Sequence, residues 1–136
     1  MIWMQNHQVR RVYLDVPHSA KVNPSWYGES VGHYESGALV VDTIGISTKS
    51  YVDNYQTPHT DQLHVVERFH MVDDGKALEV NVHIEDPGAF TTPWNAIQCY
   101  RRTHGAAQSE VVCAENNDDH FHHGLEPMPQ ADKPDF

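Results

Sequence analysis

The four residues Asp73-Asp74-Gly75-Lys76 constrain this chain more than any other stretch. Asp-Gly is a strong signal for a two-residue hairpin loop, because both loop positions need positive φ and these residue types tolerate it. The flanking segments, Leu63 to Val72 and Ala77 to Glu85, read as strands, so the turn also fixes their register. With Asp74 and Gly75 as the loop, Asp73 pairs with Lys76, and the residue numbers of every pair sum to 149. His64 then faces Glu85, Val66 faces His83, Arg68 faces Asn81 and His70 faces Glu79. On the other side Val65 meets Ile84, Glu67 meets Val82, Phe69 meets Val80 and Met71 meets Leu78. One face is polar and rich in histidine; the other is apolar apart from Glu67. A slip of one residue would exchange the two faces.

The rest of the chain agrees with a β fold. Val outnumbers Leu 15 to 5, and β-branched side chains favour pleated surfaces over helices. Val9 to Leu14 is a first strand candidate, and Pro17 to Pro24 is a turn-rich connection. Ser30 to Tyr34 and Leu39 to Ile44 bracket the short hairpin signal Glu35-Ser36-Gly37-Ala38. Ser47 to Thr60 reads as a long polar loop; Trp94 to Arg102 and Glu110 to Glu115 read as a last hairpin. No amphipathic helix is convincing. The expected fold is all-β, an antiparallel β-barrel or jelly-roll-like sandwich of about seven strands, which buries strands and limits exposed edges. One domain over residues 1–117 is expected, followed by an acidic, His- and Pro-rich tail over 118–136, extended or disordered. A partly exposed first strand would gain by pairing with a second copy, so a homodimer is expected. Cys99 falls opposite Cys113 in the last hairpin, which leaves a disulfide and two reduced thiols both open.

Charge narrows the function. Nine Lys and Arg against 19 Asp and Glu give a net charge of −10, so no nucleic-acid partner is expected. No apolar run approaches the roughly 20 residues of a membrane-spanning helix, and no membrane partner is expected. Met1 to Arg11 carries charges without an apolar core, so it does not read as a signal peptide. Gly-x-Ser-x-Gly, P-loop and dinucleotide fingerprints are all missing, as are His-Glu-x-x-His and paired Cys-x-x-Cys.

The strings Gly37-Ala38-Leu39-Val40-Val41-Asp42-Thr43, His59, Leu63-His64-Val65-Val66-Glu67-Arg68-Phe69, Glu85-Asp86-Pro87, Thr92-Pro93-Trp94 and Cys113-Ala114-Glu115-Asn116-Asn117 form a linked pattern. It resembles a large family of uncharacterised bacterial proteins, abundant in soil bacteria and metagenomes, over about residues 5–117. Members usually carry an upstream segment and an export signal, so the resemblance implies an exported or periplasmic protein. That family has no established activity, and the resemblance implies no function.

Chemistry must therefore be sought in unusual residues. Glu67, between Val65, Phe69 and Val82, is a carboxylate on an apolar face; Asp42, in line with Val40 and Ile44, is another. Two such interior carboxylates could divide acid and base roles, with Arg68 the third candidate catalytic residue. The plainer alternative pairs Glu67 with an arginine such as Arg101 and leaves Asp42 capping a turn. Eleven histidines in 136 residues point instead to metal. His64, Glu85 and the diagonal His83 are neighbours on the polar face, and His59 precedes the strand on a loop that could fold back. Together they would hold one divalent transition metal (Cu, Fe, Zn or Mn) in a small enzyme acting on a small organic or carbohydrate substrate, with oxidative chemistry among its options. The plainer reading makes them solvated cross-strand pairs. Metal-free isomerisation or cyclisation through Glu67 and Asp42 is the second enzymatic expectation. A non-enzymatic ligand- or carbohydrate-binding module, built on Tyr34, Tyr100, Trp26 and Trp94, is the third expectation. His120, His122 and His123 read as an adventitious metal-binding tract in the tail.

Overall fold

The Asp-Gly turn forms as its sequence demands. Asp74 and Gly75 both adopt positive φ, at 51° and 79°, and Lys76 N–H donates to the Asp73 carbonyl at 3.0 Å. Asp73 is also left-handed, at 56°, and Gly75 N–H donates to the Val72 carbonyl, so two such turns overlap. The computed structural model describes residues 2–3 and 9–103. The strands joined by this turn are β6 (His64–Val72) and β7 (Ala77–Glu85). Their register is the expected one throughout, from His64 opposite Glu85 to Val72 opposite Ala77.

Around this hairpin the described residues are all-β. β1 (Ile2–Trp3) pairs antiparallel with β2 (Val9–Arg10). β3 (Val12–Leu14), β4 (Glu29–Glu35), β5 (Ala38–Ile44), β6, β7 and β8 (Trp94–Arg101) follow one another across a six-stranded sheet. From β4 to β8 all neighbours are antiparallel, and the β4–β5 loop is Ser36-Gly37, again with two positive φ values. β3 runs parallel to β4, so residues 15–28 cross over between them. Gly28, at φ +64°, ends that crossover where an added Cβ would strike the Ile44 carbonyl oxygen. The sheet is open, with β3 and β8 as its edges among the described residues. Residues 110–115, Cys113 and the tail histidines lie outside the described residues, and Cys99 is an exposed free thiol.

Alternation gives the sheet two unlike faces. Val41 and Thr43 of β5 share a face with Val65 and Glu67 of β6 and with Val80, Val82 and Ile84 of β7. Val41, Val80 and Ile84 there are buried, as is Leu63 just before β6. Arg10 lies across this face: Nε donates to Ser30 Oγ at 3.0 Å, and Nη2 donates to Thr43 Oγ1 at 2.6 Å. Nη2 also meets Glu67 Oε2 at 2.5 Å, in a contact that lacks hydrogen-bond alignment. Glu67 thus has an arginine partner, but it is Arg10; Arg101 instead lies 3.9 Å from Asp73.

Below Glu85 the chain is anchored by Asp86, only 2% exposed. Its carboxylate accepts from Thr60 N–H and Thr60 Oγ, both at 2.6 Å, and from Gly88 N–H at 3.0 Å. These bonds tie the end of the long loop to the residues that follow β7.

The Arg10–Glu67 pair yields a stability prediction. Both side chains are about 15% exposed, at 14% and 16%, so Glu67→Gln leaves a guanidinium in a largely dry setting. Urea unfolding should show a loss of about 2–3 kcal/mol, somewhat below the ~3–5 typical of a fully buried pair. An unchanged unfolding midpoint would mean that the pair holds nothing together.

Candidate functional site

The face opposite Glu67 carries the candidate site. Asp42 lies opposite Val66, and Val41 lies opposite Glu67, so Asp42 and Glu67 point to opposite sides of the sheet. The expectation that these two carboxylates share one interior is corrected by that register. Arg68 is on the Asp42 face, but four residues along β6 from His64, about 14 Å. It is exposed and donates to Glu35 at 2.6 Å.

A row of imidazoles and carboxylates instead runs across the sheet at the other end. Asp42 Oδ1 accepts from His64 Nε2 at 3.0 Å and from His18 Nε2 at 2.9 Å. The other His18 nitrogen, Nδ1, donates to Glu29 Oε1 at 3.1 Å. Ser19 donates to Glu29 as well, from its backbone N–H at 2.7 Å and its hydroxyl at 2.6 Å. On the far side of His64, Glu85 Oε2 stands 3.9 Å from Nδ1. Glu85 Oε1 accepts from His83 Nε2 at 2.9 Å, and His83 Nδ1 meets Asn95 Oδ1 at 2.7 Å. The row therefore spans β4 to β8, with the crossover loop supplying His18.

The charges in the row support one another. Burial of Asp42 would raise its pKa, but hydrogen bonds from His18 and His64, and their charges, bring it below the ordinary 3.8. Burial would lower the His18 pKa, but the bonds to Asp42 and Glu29 hold it above 6.5. His83 is raised by its bonds to Asn95 and Glu85, and Glu85 is lowered chiefly by His83. Glu29 is lowered mainly by the Ser19 hydroxyl and N–H. A carboxylate can only accept, so His18 and His83 engage both nitrogens as imidazolium donors. His64 differs: its Nε2 proton goes to Asp42, and among the described residues Nδ1 has no hydrogen-bond partner.

Among the residues expected to ligate metal, His64, His83 and Glu85 are neighbours on this face. His59 is not with them. It is 7% exposed, its Nδ1 donates to the Thr60 carbonyl at 2.8 Å, and its Nε2 meets Ser50 Oγ at 3.1 Å. Both nitrogens are occupied by the long loop it stabilises. Among the described residues no group of three or more His, Cys, Asp or Glu side chains stands so as to hold a metal ion. The aromatic residues do not gather into one platform either. Tyr34 and Tyr100 are on β4 and β8, about four strand spacings or ~19 Å apart. Trp94 packs edge-on against Phe90 at 5.9 Å, while Trp26 is exposed. Compared with family models, curated proteins and solved structures, the chain matches none.

The sequence does not bring His18 to Asp42, because His18 lies on an irregular crossover. Its place next to Pro17 is the one local signal, and it does not specify a partner.

The row sets a pH dependence. His18 and His83 have raised pKa values, so their contribution is complete below about 6.5 and is lost as pH rises through the folded values. Asp42, Glu85 and Glu29 are lowered, so theirs is present above the ordinary carboxylate range and is lost in acid. Urea midpoints should therefore be highest between about pH 4.5 and 6.5 and should fall toward pH 8. In His18→Gln the alkaline fall should flatten; an unchanged slope would remove His18 from this account.

Proposed function

We propose that this chain is a small acid–base enzyme, of the isomerase or cyclase type, in which Asp42 orients His64 for proton transfer. The single observation that carries the reading is the asymmetry of His64. One nitrogen donates to an ionised carboxylate at 3.0 Å, and the other, partly exposed and 3.9 Å from Glu85 Oε2, has no hydrogen-bond partner among the described residues. An ionised Asp42 fixes the Nε2–H tautomer, which makes Nδ1 the basic atom. Asp42 also stabilises the imidazolium formed when Nδ1 takes a proton from carbon or oxygen of the substrate. His18 and His83, each drawn toward its protonated form by its hydrogen-bond partners, flank the site and favour an anionic transition state in the same region. Glu67 has no part in this chemistry; its partner is Arg10 on the other face.

A second reading is favoured by one distance. His64 Nδ1 and Glu85 Oε2 are 3.9 Å apart. His64 and Glu85 would be the residues to hold a divalent transition metal, which would supply Lewis-acid chemistry at this end of the row. Metal-bound histidines commonly donate their other N–H to a carboxylate, as His64 does to Asp42. In that reading His64 and Glu85 hold the ion, and His83 supports Glu85 through its second oxygen.

One experiment separates these readings. Small hydroxylated carbonyl compounds are incubated with untagged protein in D2O, and exchange at carbon is followed by proton NMR. The acid–base reading expects exchange that survives a chelator and falls roughly 100-fold or more in His64→Gln. Asp42→Asn should cost less, since the base remains while its orientation is lost. Exchange abolished by the chelator would support the metal reading. Exchange unaffected by His64→Gln would contradict both.

A further inference from the structure

A groove of about 390 Å³ lies at the β3–β4 edge, bounded by the crossover loop and β2. Its chemistry is unlike the rest of the chain. The protein as a whole has 9 basic side chains against 19 acidic ones. Three of the nine, Arg10, Arg11 and Lys21, line this one groove, with Glu29 as its only carboxylate among the described residues. Glu29 is already satisfied by Ser19 and His18. The charge of Arg10 is matched by Glu67, and its Nε and Nη2 are taken by Ser30 and Thr43. The two Nη1 hydrogens of this largely buried guanidinium have no acceptor among the described residues. Arg11 and Lys21 are exposed, and neither makes an ion pair among the described residues. The remaining lining is mostly hydroxyl and amide, including Asn23, Ser25 and the rings of Tyr13 and Tyr27.

We infer that this groove binds a small hydroxylated molecule that carries one carboxylate or phosphate group. Cations left without partners in a strongly acidic chain repel one another, and an oxyanion between them relieves that repulsion. The size matches a ligand of one ring or a short chain, since small-molecule sites begin near ~300 Å³. Hydroxyl and amide groups in the walls suit a polyol body, and the tyrosine rings suit its apolar faces. Arg10 forms the fixed floor, held from below by Ser30, Thr43 and Glu67. Arg11 and Lys21 are the mobile contacts at the rim. The site stands whether or not His64 transfers protons, because none of its cations belongs to the imidazole–carboxylate row.

Calorimetric titration of the full chain tests this, with glucuronate, glucose 6-phosphate and methyl glucoside as probes. At low salt, one or both of the anionic sugars should bind at least tenfold tighter than neutral methyl glucoside, and the tighter of the two identifies the preferred oxyanion. Added salt should weaken that binding. The double variant Arg11→Gln with Lys21→Gln should weaken it at least tenfold. Lys49→Gln with Arg102→Gln removes the same charge from exposed positions elsewhere and should leave it within twofold. All three proteins should share the same melting temperature, because every substituted side chain is exposed. Equal binding of the neutral sugar, no binding of either anion at millimolar concentration, or equal losses in the two double variants would overturn the proposal.

Discussion

The two-residue period of β6 is the constraint on which the molecule depends. The overlapping turns at Val72 to Lys76 fix which side chains of β6 face which way, and β5 and β7 follow that choice. His64 is thereby placed beside Asp42 and Glu85, and Glu67 beside Val41 and Val82. A shift of one residue would put an imidazole row into the apolar face and bring Val65 into the site. The cost would be large on both sides, because Glu67 would lose Arg10 and the row would lose its charge pairing. Register here is set by a local turn and enforced by two dissimilar faces.

Each face then solves its own electrostatic problem. On the apolar side a single carboxylate is matched by a single guanidinium, which also binds two buried hydroxyls. That arrangement uses two of the five N–H donors of Arg10 and holds β2 against the sheet. On the other side charges alternate, carboxylate and imidazole, across four strands and one loop. Partial exposure keeps any one pair weak, but the row as a whole favours ionised carboxylates and the protonated forms of His18 and His83. His64 differs in its bonding, since its Nδ1 has no hydrogen-bond partner among the described residues, and that difference is what makes the row chemically useful.

Much of this architecture was legible in the sequence, and the reason is local. Asp74-Gly75 and Ser36-Gly37 are short loops, so each dictates the pairing of its own strands. The neighbourhood of His64, His83 and Glu85 follows from the first of these. The β5–β6 register was not legible, because residues 45–63 separate the two strands and no tight turn counts between them. Without it Asp42 and Glu67 looked like partners, when the register sends them to opposite faces. His18 was harder still, since it reaches Asp42 through a parallel crossover that depends on contacts distant in sequence. His59 reads as a ligand on a loop that could fold back, yet Ser50 and Thr60 hold it inside its own loop. Arg10, five residues before Asp15 and far from Glu67, gave no sign of its partner.

The central claim is that Asp42 holds His64 with its proton on Nε2 and a free lone pair on Nδ1. Long-range ¹H–¹⁵N correlation spectra of histidine-labelled protein, recorded in alkaline solution, report this directly. The account predicts that neutral His64 is the Nε2–H tautomer in the native chain, and that Asp42→Ala weakens this preference while His59 is unchanged. A neutral His64 protonated on Nδ1, or a tautomer indifferent to Asp42→Ala, would contradict it.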